Sequence, residues 1–136
     1  MKIGIDFHGV IDEYPRIFSK LTKKWYNKGF EIHIITGKEW SDVEPKLKKY
    51  NISFTHHYSI VDYHKQMHTN MKKKRSGWWM DEEIWNKSKG IYCKRKKVTL
   101  HFDNDLIYAK WFPENCTFVW VRKKNFKDFL IAIEKI

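Results

Sequence analysis

Three apolar segments of this chain carry, at or near their ends, side chains that can bind a metal ion or a phosphate group. Asp6 lies in the first segment, Thr36 ends the second and Asp103 ends the third. Parallel strands bring their carboxyl ends to one edge of a sheet, which is where α/β proteins bind ligands. Two carboxylates that converge there repel each other unless a cation lies between them, and Mg²⁺ prefers oxygen ligands. The pattern predicts a site for Mg²⁺ and phosphate; Asp6 alone could equally cap a turn.

The elements that would position these residues alternate along the chain. Short apolar runs rich in β-branched residues indicate strands, and apolar residues at helical spacing indicate helices. Strand–helix–strand units place their two strands in parallel. The sequence therefore predicts an α/β fold with three layers, Rossmann-like, around a central, mainly parallel five-stranded sheet. The predicted strands cover residues 2–7, 31–36, 52–60, 98–103 and 117–121; helices are predicted to begin at Pro15, Ser41, Asp81 and Asn125, with a short one at 106–111.

Local signals refine these boundaries. Ser41 followed three residues later by Glu44 matches a capping box, so we expect the second helix to begin there. Asp12 and Glu13 are expected to cap the first helix, and a position facing the substrate, in the loop after the first strand, is the alternative. In the helix that begins near Asp81, we expect Ile91 to face the interior together with Ile84 and Trp85.

One segment, residues 61–79, shows no clear periodicity. We interpret it as an insertion or long loop within a single domain of residues 1–136, a length that suffices for a hydrophobic core. His56, His57, His64 and His68 are candidates for a zinc site, and His64 and His68 are spaced for one face of a helix. Because no cysteine lies near them, polar loop histidines are the favoured interpretation.

The chain is strongly basic, with a net charge of +11. Such a charge favours anionic partners, namely nucleotides, nucleic acid or phosphorylated molecules, and a solvated lysine-rich surface is an equal alternative. Residues 72–75 are four consecutive cations, and Trp78 and Trp79 follow them. Cations beside aromatic rings are typical of proteins that bind nucleic-acid strands. The alternative is a solvated basic loop followed by two tryptophans packed on the body of the protein.

Compartment signals are few. No apolar run reaches the length of a membrane span, and the beginning of the chain lacks the pattern of a signal peptide. The two cysteines, Cys93 and Cys116, form no disulfide framework and are interpreted as reduced thiols. These features predict a cytoplasmic protein without a membrane partner.

Four motifs, in order, resemble those of the haloacid dehalogenase-like (HAD) phosphohydrolase superfamily. The first is Asp-Phe-His-Gly-Val at residues 6–10, and the second is Ile-Thr-Gly-Lys at 35–38. The third, Ser-Lys-Gly-Ile-Tyr-Cys at 88–93, has Lys89 in the position of the family's lysine. The fourth is Asp-Asn-Asp-Leu-Ile-Tyr at 103–108. The resemblance covers nearly the whole chain, and it is greatest to small members with little or no cap, nucleotidase-like or polynucleotide-phosphatase-like.

The resemblance implies a role for each matching residue. Asp6 would be the nucleophile that forms an aspartyl-phosphate. Lys89 would offset the charge of the phosphoryl group, while Thr36 and Gly37 would bind that group. The implied cofactor is Mg²⁺, and its implied ligands are Asp6, the backbone carbonyl of His8, Asp103, and Asn104 or Asp105.

Two residues depart from the family's pattern. His8 occupies the position of the acid/base aspartate found in phosphatases of the family. A histidine can transfer protons near neutral pH. His8 could therefore replace that aspartate, could leave a trapped aspartyl-phosphate, or could belong to a site that binds without catalysing. Asn104 replaces an acid and removes one negative charge near the implied metal.

The expected function is therefore that of an enzyme, a Mg²⁺-dependent phosphomonoester hydrolase acting on a nucleotide or a nucleic-acid end. The alternative is a catalytically impaired HAD-like module that uses a basic pocket to bind phosphorylated ligands or nucleic acid. His8 and Asn104 are the residues that favour the alternative.

Overall fold

Strands and helices alternate through all of residues 1–136 in the structure, a computed structural model. The strands are β1 (Lys2–Asp6), β2 (Glu31–Thr36), β3 (His56–Ser59), β4 (Lys72–Lys74), β5 (Gly77–Trp79), β6 (Leu100–Asp103) and β7 (Thr117–Trp120). The α-helices are α1 (Pro15–Asn27), α2 (Trp40–Lys49), α3 (Ile60–Gln66), α4 (Glu82–Lys96) and α5 (Phe126–Ile133). A kinked turn spans Phe7–Ile11, in which His8 and Gly9 have non-helical backbone angles, and 3-10 turns span Leu106–Trp111 and Lys123–Asn125.

Five strands form one sheet in the order β3-β2-β1-β6-β7. Every neighbouring pair in this sheet is parallel. The prediction of an α/β fold around a parallel five-stranded sheet is therefore confirmed. Because β1 is the central strand and connections run to both sides of it, the carboxyl ends of β1, β2 and β6 lie side by side.

Helices cover both faces of the sheet and enclose two hydrophobic cores. The larger core packs α1, α2 and α5 against one face, and Trp25 of α1 stacks on Phe102 of β6 with ring centroids 5.8 Å apart. The smaller core packs α4 against the other face through Tyr92 and Cys93. On that side Gly4 of β1 leaves room for a buried histidine, because a Cβ atom at Gly4 would stand 2.7 Å from His101 Nδ1.

The structure corrects the prediction for residues 52–79. The third strand is shorter than predicted because the side chain of Thr55 replaces part of the ladder, with Oγ1 accepting from Ile32 N at 2.8 Å. Residues 61–79 are not an irregular insertion: they contain most of α3 and the antiparallel pair of β4 and β5. The signal for α3 was Ser59, whose Oγ accepts a hydrogen bond from Asp62 N at 3.1 Å and so caps the helix.

Three helix predictions are also wrong in detail. Helix α2 begins at Trp40, and the predicted capping box does not form: Glu44 Oε2 instead accepts from Trp40 Nε1 at 3.0 Å. In α4, Ile91 is 52% exposed because Tyr92 and Cys93 take the inward positions. The last helix begins one residue later than predicted, at Phe126.

Neither cysteine forms a disulfide; both are free and buried. The helices include none with the length and apolar character needed to cross a membrane.

Candidate active site

The three residues that the sequence placed at strand ends do meet at one edge of the sheet. Asp6 ends β1, Thr36 ends β2 and Asp103 ends β6, and all three are buried. Lys89 of α4 reaches the same edge, where its Nζ lies 3.2 Å from Asp6 Oδ1 and 2.8 Å from Asp103 Oδ2. We call Asp6, Lys89 and Asp103 the carboxyl-edge cluster. One cation between two carboxylates leaves the cluster with a formal charge of −1.

Helix α4 presents Lys89 on a face built from small and polar residues. Asp81 caps the helix, since its Oδ1 accepts from Ile84 N at 3.2 Å. Ser88 Oγ donates to Ile84 O at 2.6 Å, which keeps its hydroxyl on the helix. At Gly90 a Cβ atom would collide with the backbone oxygen of Trp111. The small residue therefore lets the 3-10 turn pack directly on α4 and close one side of Lys89.

Asp103 is completely buried and accepts hydrogen bonds from three donors. Lys89 Nζ and His101 Nε2, the latter at 3.0 Å, share its Oδ2, while Asp105 N donates to Oδ1 at 3.1 Å. Although burial raises the pKa of Asp103, the lysine and the histidine lower it more, so that the carboxyl stays ionised. Burial lowers the pKa of His101, which is therefore neutral and donates through Nε2. Asp103 thus positions Lys89.

Asp6 has fewer donors than Asp103. Its Oδ1 contacts Lys89, and burial raises its pKa to about 7 against the lowering effect of Lys89, with Asp103 adding to the rise. A carboxyl that titrates near neutrality in a cleft is typical of a functional group. Any further positive charge beside Asp6 would return it to the ionised form.

A group of oxygen atoms surrounds the other side of Asp6. The terminal amide of Asn104 lies 3.0 Å from Asp6 Oδ2 and 3.1 Å from the backbone oxygen of His8. If the amide nitrogen of Asn104 points toward these two acceptors, it donates a hydrogen bond to each. If the amide oxygen points there, three oxygen atoms face one another: Asn104 Oδ1, Asp6 Oδ2 and the backbone oxygen of His8. Gly9 permits this approach because it has no side chain: a Cβ atom there would collide with the Asn104 amide. Its φ of 79° lies in the left-handed region that favours glycine.

With the Asn104 oxygen turned inward, the two separations around it suit a magnesium ion. Mg²⁺ binds oxygen at about 2.0–2.1 Å in octahedral geometry, which sets neighbouring ligand oxygens about 2.9 Å apart. The separations of 3.0 and 3.1 Å around Asn104 match that spacing. Asp103, which the resemblance also assigned to the metal, lies behind Lys89 with both oxygens engaged. Asp6, the His8 carbonyl and Asn104 are therefore the residues best placed to hold a metal.

A cleft of about 660 Å³ opens above Asp6 and Lys89. Its acidic and basic side chains are five carboxylates, two lysines and His8, so this is not the basic pocket that the net charge suggested. A phosphate group would meet net negative charge in this cleft unless a divalent cation were bound. The lining residues are Asp6, His8, Gly37, Lys38, Glu39, Asp42, Val61, Ser76, Gly77, Trp78, Trp79, Met80, Glu82, Trp85, Lys89, Asn104, Asp105 and Tyr108.

The sequence matches no protein-family model and no curated protein. The functional interpretation rests on this geometry and on the motif resemblance.

His8 lies at the mouth of the cleft, and its partner is a residue with a different predicted role. The His8 side chain is 67% exposed, and its Nδ1 lies 3.1 Å from Asp12 Oδ2. The other oxygen of Asp12 accepts from Gly9 N at 2.6 Å. The prediction that Asp12 caps α1 is therefore wrong, because Tyr14 occupies the cap position without a side-chain hydrogen bond. Asp12 instead fixes the loop and orients the imidazole.

Thr36 and Gly37 form the turn after β2. Thr36 is fully buried and its Oγ1 accepts from Lys38 N at 3.1 Å, so its hydroxyl holds the turn. Gly37 lines the cleft, and a Cβ atom there would stand 2.7 Å from the Trp85 ring. Sequence reasoning missed Trp85 and Tyr108 as cleft residues. Trp85 Nε1 donates to the Tyr108 hydroxyl at 3.1 Å, and Lys89 Nζ lies 4.7 Å from the Tyr108 ring centroid.

The zinc pairing of His64 and His68 does not form. His64 Nδ1 contacts the Thr69 hydroxyl at 2.8 Å, and its Nε2 contacts the Ser88 hydroxyl at 3.1 Å. His64 thus supports α4 near Lys89. Of the four histidines considered for zinc, His56 belongs to a different group, in which the donor atoms of Glu31, His33 and His56 lie within 4.8 Å of one another.

Proposed function

We propose that this chain is a HAD-type, Mg²⁺-dependent phosphomonoester hydrolase with Asp6 as its nucleophile. The observation that carries the proposal is that buried Lys89 contacts both Asp6 and Asp103, and that Asp6 and Lys89 line the cleft. A carboxylate with a lysine on one side and a set of oxygen ligands on the other suits phosphoryl transfer, which depends on positioning and electrostatic stabilisation.

The reaction would proceed in two displacements at phosphorus. A carboxylate oxygen of Asp6 attacks the phosphoryl group, the bond to the substrate oxygen breaks, and the leaving alkoxide takes a proton. Water then attacks the aspartyl-phosphate, loses a proton and releases inorganic phosphate, which regenerates the Asp6 carboxylate. Lys89 stabilises the charge on the transferring group throughout.

His8 and Asp12 would supply the protons. With Nδ1 held by Asp12 at 3.1 Å, the imidazole has Nε2 free for proton transfer. Protonated His8 gives its proton to the leaving oxygen in the first displacement, and neutral His8 accepts one from water in the second. A base oriented by a carboxylate recurs in enzymes with covalent intermediates. This arrangement favours His8 as a replacement for the family's acid/base aspartate.

Bound at Asp6, the His8 carbonyl and Asn104, Mg²⁺ would neutralise charge on the phosphoryl oxygens and hold Asp6 ionised. The acidic lining of the cleft makes this cofactor necessary for anion binding. The aromatic walls formed by Trp85 and Tyr108, and by Trp78 and Trp79, favour a substrate with a planar group. A nucleotide or a nucleic-acid end meets both requirements.

The test is phosphate release from a panel of phosphomonoesters with and without Mg²⁺. The panel contains nucleoside monophosphates, sugar phosphates and oligonucleotides phosphorylated at the 3′ or the 5′ end. Release that requires Mg²⁺ and disappears in Asp6→Asn is the expected result. Absence of release from folded protein across a wide pH range would overturn the proposal.

A second function, ligand binding without turnover, is favoured by the exposure of His8 and by the Asn104 amide. An amide that donates to Asp6 can satisfy the site without a metal. The two functions are separated by His8→Asp. If His8 impairs catalysis because it replaces the family's aspartate, the substitution raises activity. If His8 is the acid/base, activity falls or its pH profile shifts.

A further inference from the structure

The hairpin formed by β4 and β5 has two different faces. In its antiparallel register Lys73 pairs with Trp78, while Lys72 pairs with Trp79. Paired residues share a face and successive residues alternate. Trp78 and Lys73 therefore lie on one face, and Trp79 lies on the other with Lys72 and Lys74.

The Trp78 face is attached to the body of the protein. Trp78 Nε1 donates to Glu39 Oε1 at 2.8 Å, just before α2. Lys65 of α3 lies over the Trp78 ring, with Nζ 4.3 Å from its centroid, and also pairs with Glu39 at 3.5 Å. Trp78 is thus the anchor of the hairpin. This confirms for Trp78 the alternative in which the ring packs on the body.

The Trp79 face is exposed to solvent. The Trp79 side chain is 52% exposed, and both lysines on this face are exposed. Lys74 Nζ lies 5.1 Å from the Trp79 ring centroid. A phosphate bound by Lys74 would therefore lie next to a base stacked on Trp79. We call Lys72, Lys74 and Trp79 the hairpin outer face.

The hairpin outer face continues into the candidate active site. Ser76, Gly77, Trp78 and Trp79 line the cleft that has Asp6 and Lys89 on its floor. The cleft itself is acidic, whereas the hairpin carries four consecutive cations at residues 72–75. An anionic chain that enters the cleft would contact these cations outside the cleft. Only the end of that chain, inside the acidic cleft, would need the metal for binding.

We propose that the hairpin outer face binds the single-stranded nucleic acid that leads a phosphorylated end into the cleft. The proposal rests on the proposed function, and it names the substrate class as a polynucleotide end. Exposed cations beside an exposed tryptophan are the pair of features that hold single strands without sequence preference, through backbone charge and base stacking. An acidic peptide would use the lysines but would leave the ring of Trp79 without a planar partner.

The first experiment measures kcat/KM for phosphate release from a mononucleotide and from phosphorylated single strands of two, four and eight nucleotides. In the unaltered protein the value is expected to rise about tenfold over the first few nucleotides, because one stacked base contributes about 1–3 kcal/mol. Trp79→Ala should remove most of this dependence on length, and Trp79→Tyr should restore it because a second aromatic ring can stack.

The lysines are tested through salt dependence. In Lys72→Ala/Lys74→Ala the slope of log affinity against log salt should become shallower by about 1.4, the value for two lost contacts to a single strand. The matched control is Lys20→Ala/Lys23→Ala, which removes the same charge from exposed positions on α1. The control should leave the slope within about 0.3 of the original, since long-range charge is screened within about 10 Å at 0.1 M salt.

Binding is also measured apart from catalysis, with Asp6→Asn and unphosphorylated single strands, by tryptophan fluorescence. A length-matched abasic strand separates charge from stacking and should bind more weakly than the base-containing strand. Absence of phosphate release from every substrate defeats the proposed function but leaves this binding measurable. Release that is independent of length, or equal binding of abasic and base-containing strands that Trp79→Ala does not alter, overturns the present proposal alone.

Discussion

Two clusters of ionisable side chains lie at opposite edges of the same sheet, and only one of them opens into the cleft. At the amino edge, His33 of β2 is 1% exposed and lies between two partners. Its Nδ1 is 2.7 Å from the Tyr92 hydroxyl, and its Nε2 is 3.0 Å from Glu31 Oε1. The ring of His56 stacks on it at a centroid distance of 4.4 Å. We call Glu31, His33, His56 and Tyr92 the amino-edge cluster.

The difference between the clusters lies in how completely each is satisfied. In the amino-edge cluster both nitrogens of His33 have partners, and His56 Nδ1 contacts the Thr55 hydroxyl at 2.8 Å. Burial raises the pKa of Tyr92, so that its hydroxyl keeps its proton and donates. In the carboxyl-edge cluster Asp6 has one cationic partner, Lys89, which it shares with Asp103. Closed networks of this kind stabilise a fold, whereas an under-compensated carboxylate beside a cleft can bind a cation and attack a substrate.

The largest effect should follow from Asp6→Asn. The amide keeps the shape of the carboxylate but is not a nucleophile, so phosphate release should fall by at least about 10⁴-fold, as when other enzymes lose a nucleophile. Release is measured at saturating Mg²⁺, and circular dichroism checks that the variant folds. A variant with more than a tenth of the original kcat would show that Asp6 is not the nucleophile.

Lys89→Met should have the next largest effect. It removes the only cation between Asp6 and Asp103, and the loss of transition-state stabilisation should lower kcat by about 10²–10³-fold. The free energy of unfolding should fall by about 3–5 kcal/mol, because two buried carboxylates lose their counter-ion. Urea denaturation in EDTA measures the second effect. Equal stability of the variant and the original protein would contradict the buried ion pair.

The two clusters should give opposite pH dependences of stability. Burial raises the pKa of Asp6 from its usual 3.8 to about 7, so the folded state holds a proton that the unfolded chain has lost. In EDTA, stability should therefore fall as pH rises from about 4 to 7. Burial lowers the pKa of His33 below its usual 6.5, so His33 should cost stability as pH falls below that value.

Denaturation curves in EDTA from pH 4 to 8 measure these slopes. Asp6→Asn should remove the loss toward neutral pH, and His33→Ala should remove the loss toward acid pH. Added Mg²⁺ should stabilise the protein more at pH 8 than at pH 5, since it binds the ionised form of Asp6. A pH slope that persists unchanged in Asp6→Asn would assign that slope to another group.

At the amino edge, His33→Ala should destabilise the protein without altering its chemistry. The substitution leaves the Tyr92 hydroxyl and Glu31 without their shared partner, which should lower the free energy of unfolding by about 1–3 kcal/mol. At a temperature where the variant is fully folded, kcat and KM should stay within about twofold of the original. A selective loss of kcat would mean that the amino-edge cluster acts on the site.

Much of the arrangement was predictable because it depends on local patterns. Short apolar runs predict strands, and parallel strands gather Asp6, Thr36 and Asp103 at one edge. Contacts between distant segments have no such signal. In the sequence, nothing distinguishes Gly90 from other helix residues. In the structure, the turn at 106–111 packs directly against it. The hairpin was missed because its strands are three residues each, too short for alternation to be visible in the sequence.

The role of Asp12 was missed for a different physical reason. An acid shortly before a helix normally caps it, and that expectation is sound for a regular helix start. Here the kinked turn at Phe7–Ile11 lies between β1 and α1 and brings Asp12 back to Gly9 and His8. Loop geometry of this kind depends on the left-handed conformation of Gly9, which a glycine permits but does not require.

The smallest effect, and the finest test of the comparison, is expected from Asn104→Asp. A carboxylate in place of the amide cannot donate to Asp6 and adds a negative charge to the oxygen set. Affinity for Mg²⁺ should rise about tenfold, since the ligand charge increases by one. In EDTA the variant should be less stable than the original protein, and saturating Mg²⁺ should reverse that order. Calorimetric titration with Mg²⁺ measures the affinity, and Asn115→Asp, which adds the same charge at an exposed position outside the cleft, is the control. An unchanged affinity would mean that Asn104 lies beside the metal site and is no part of it.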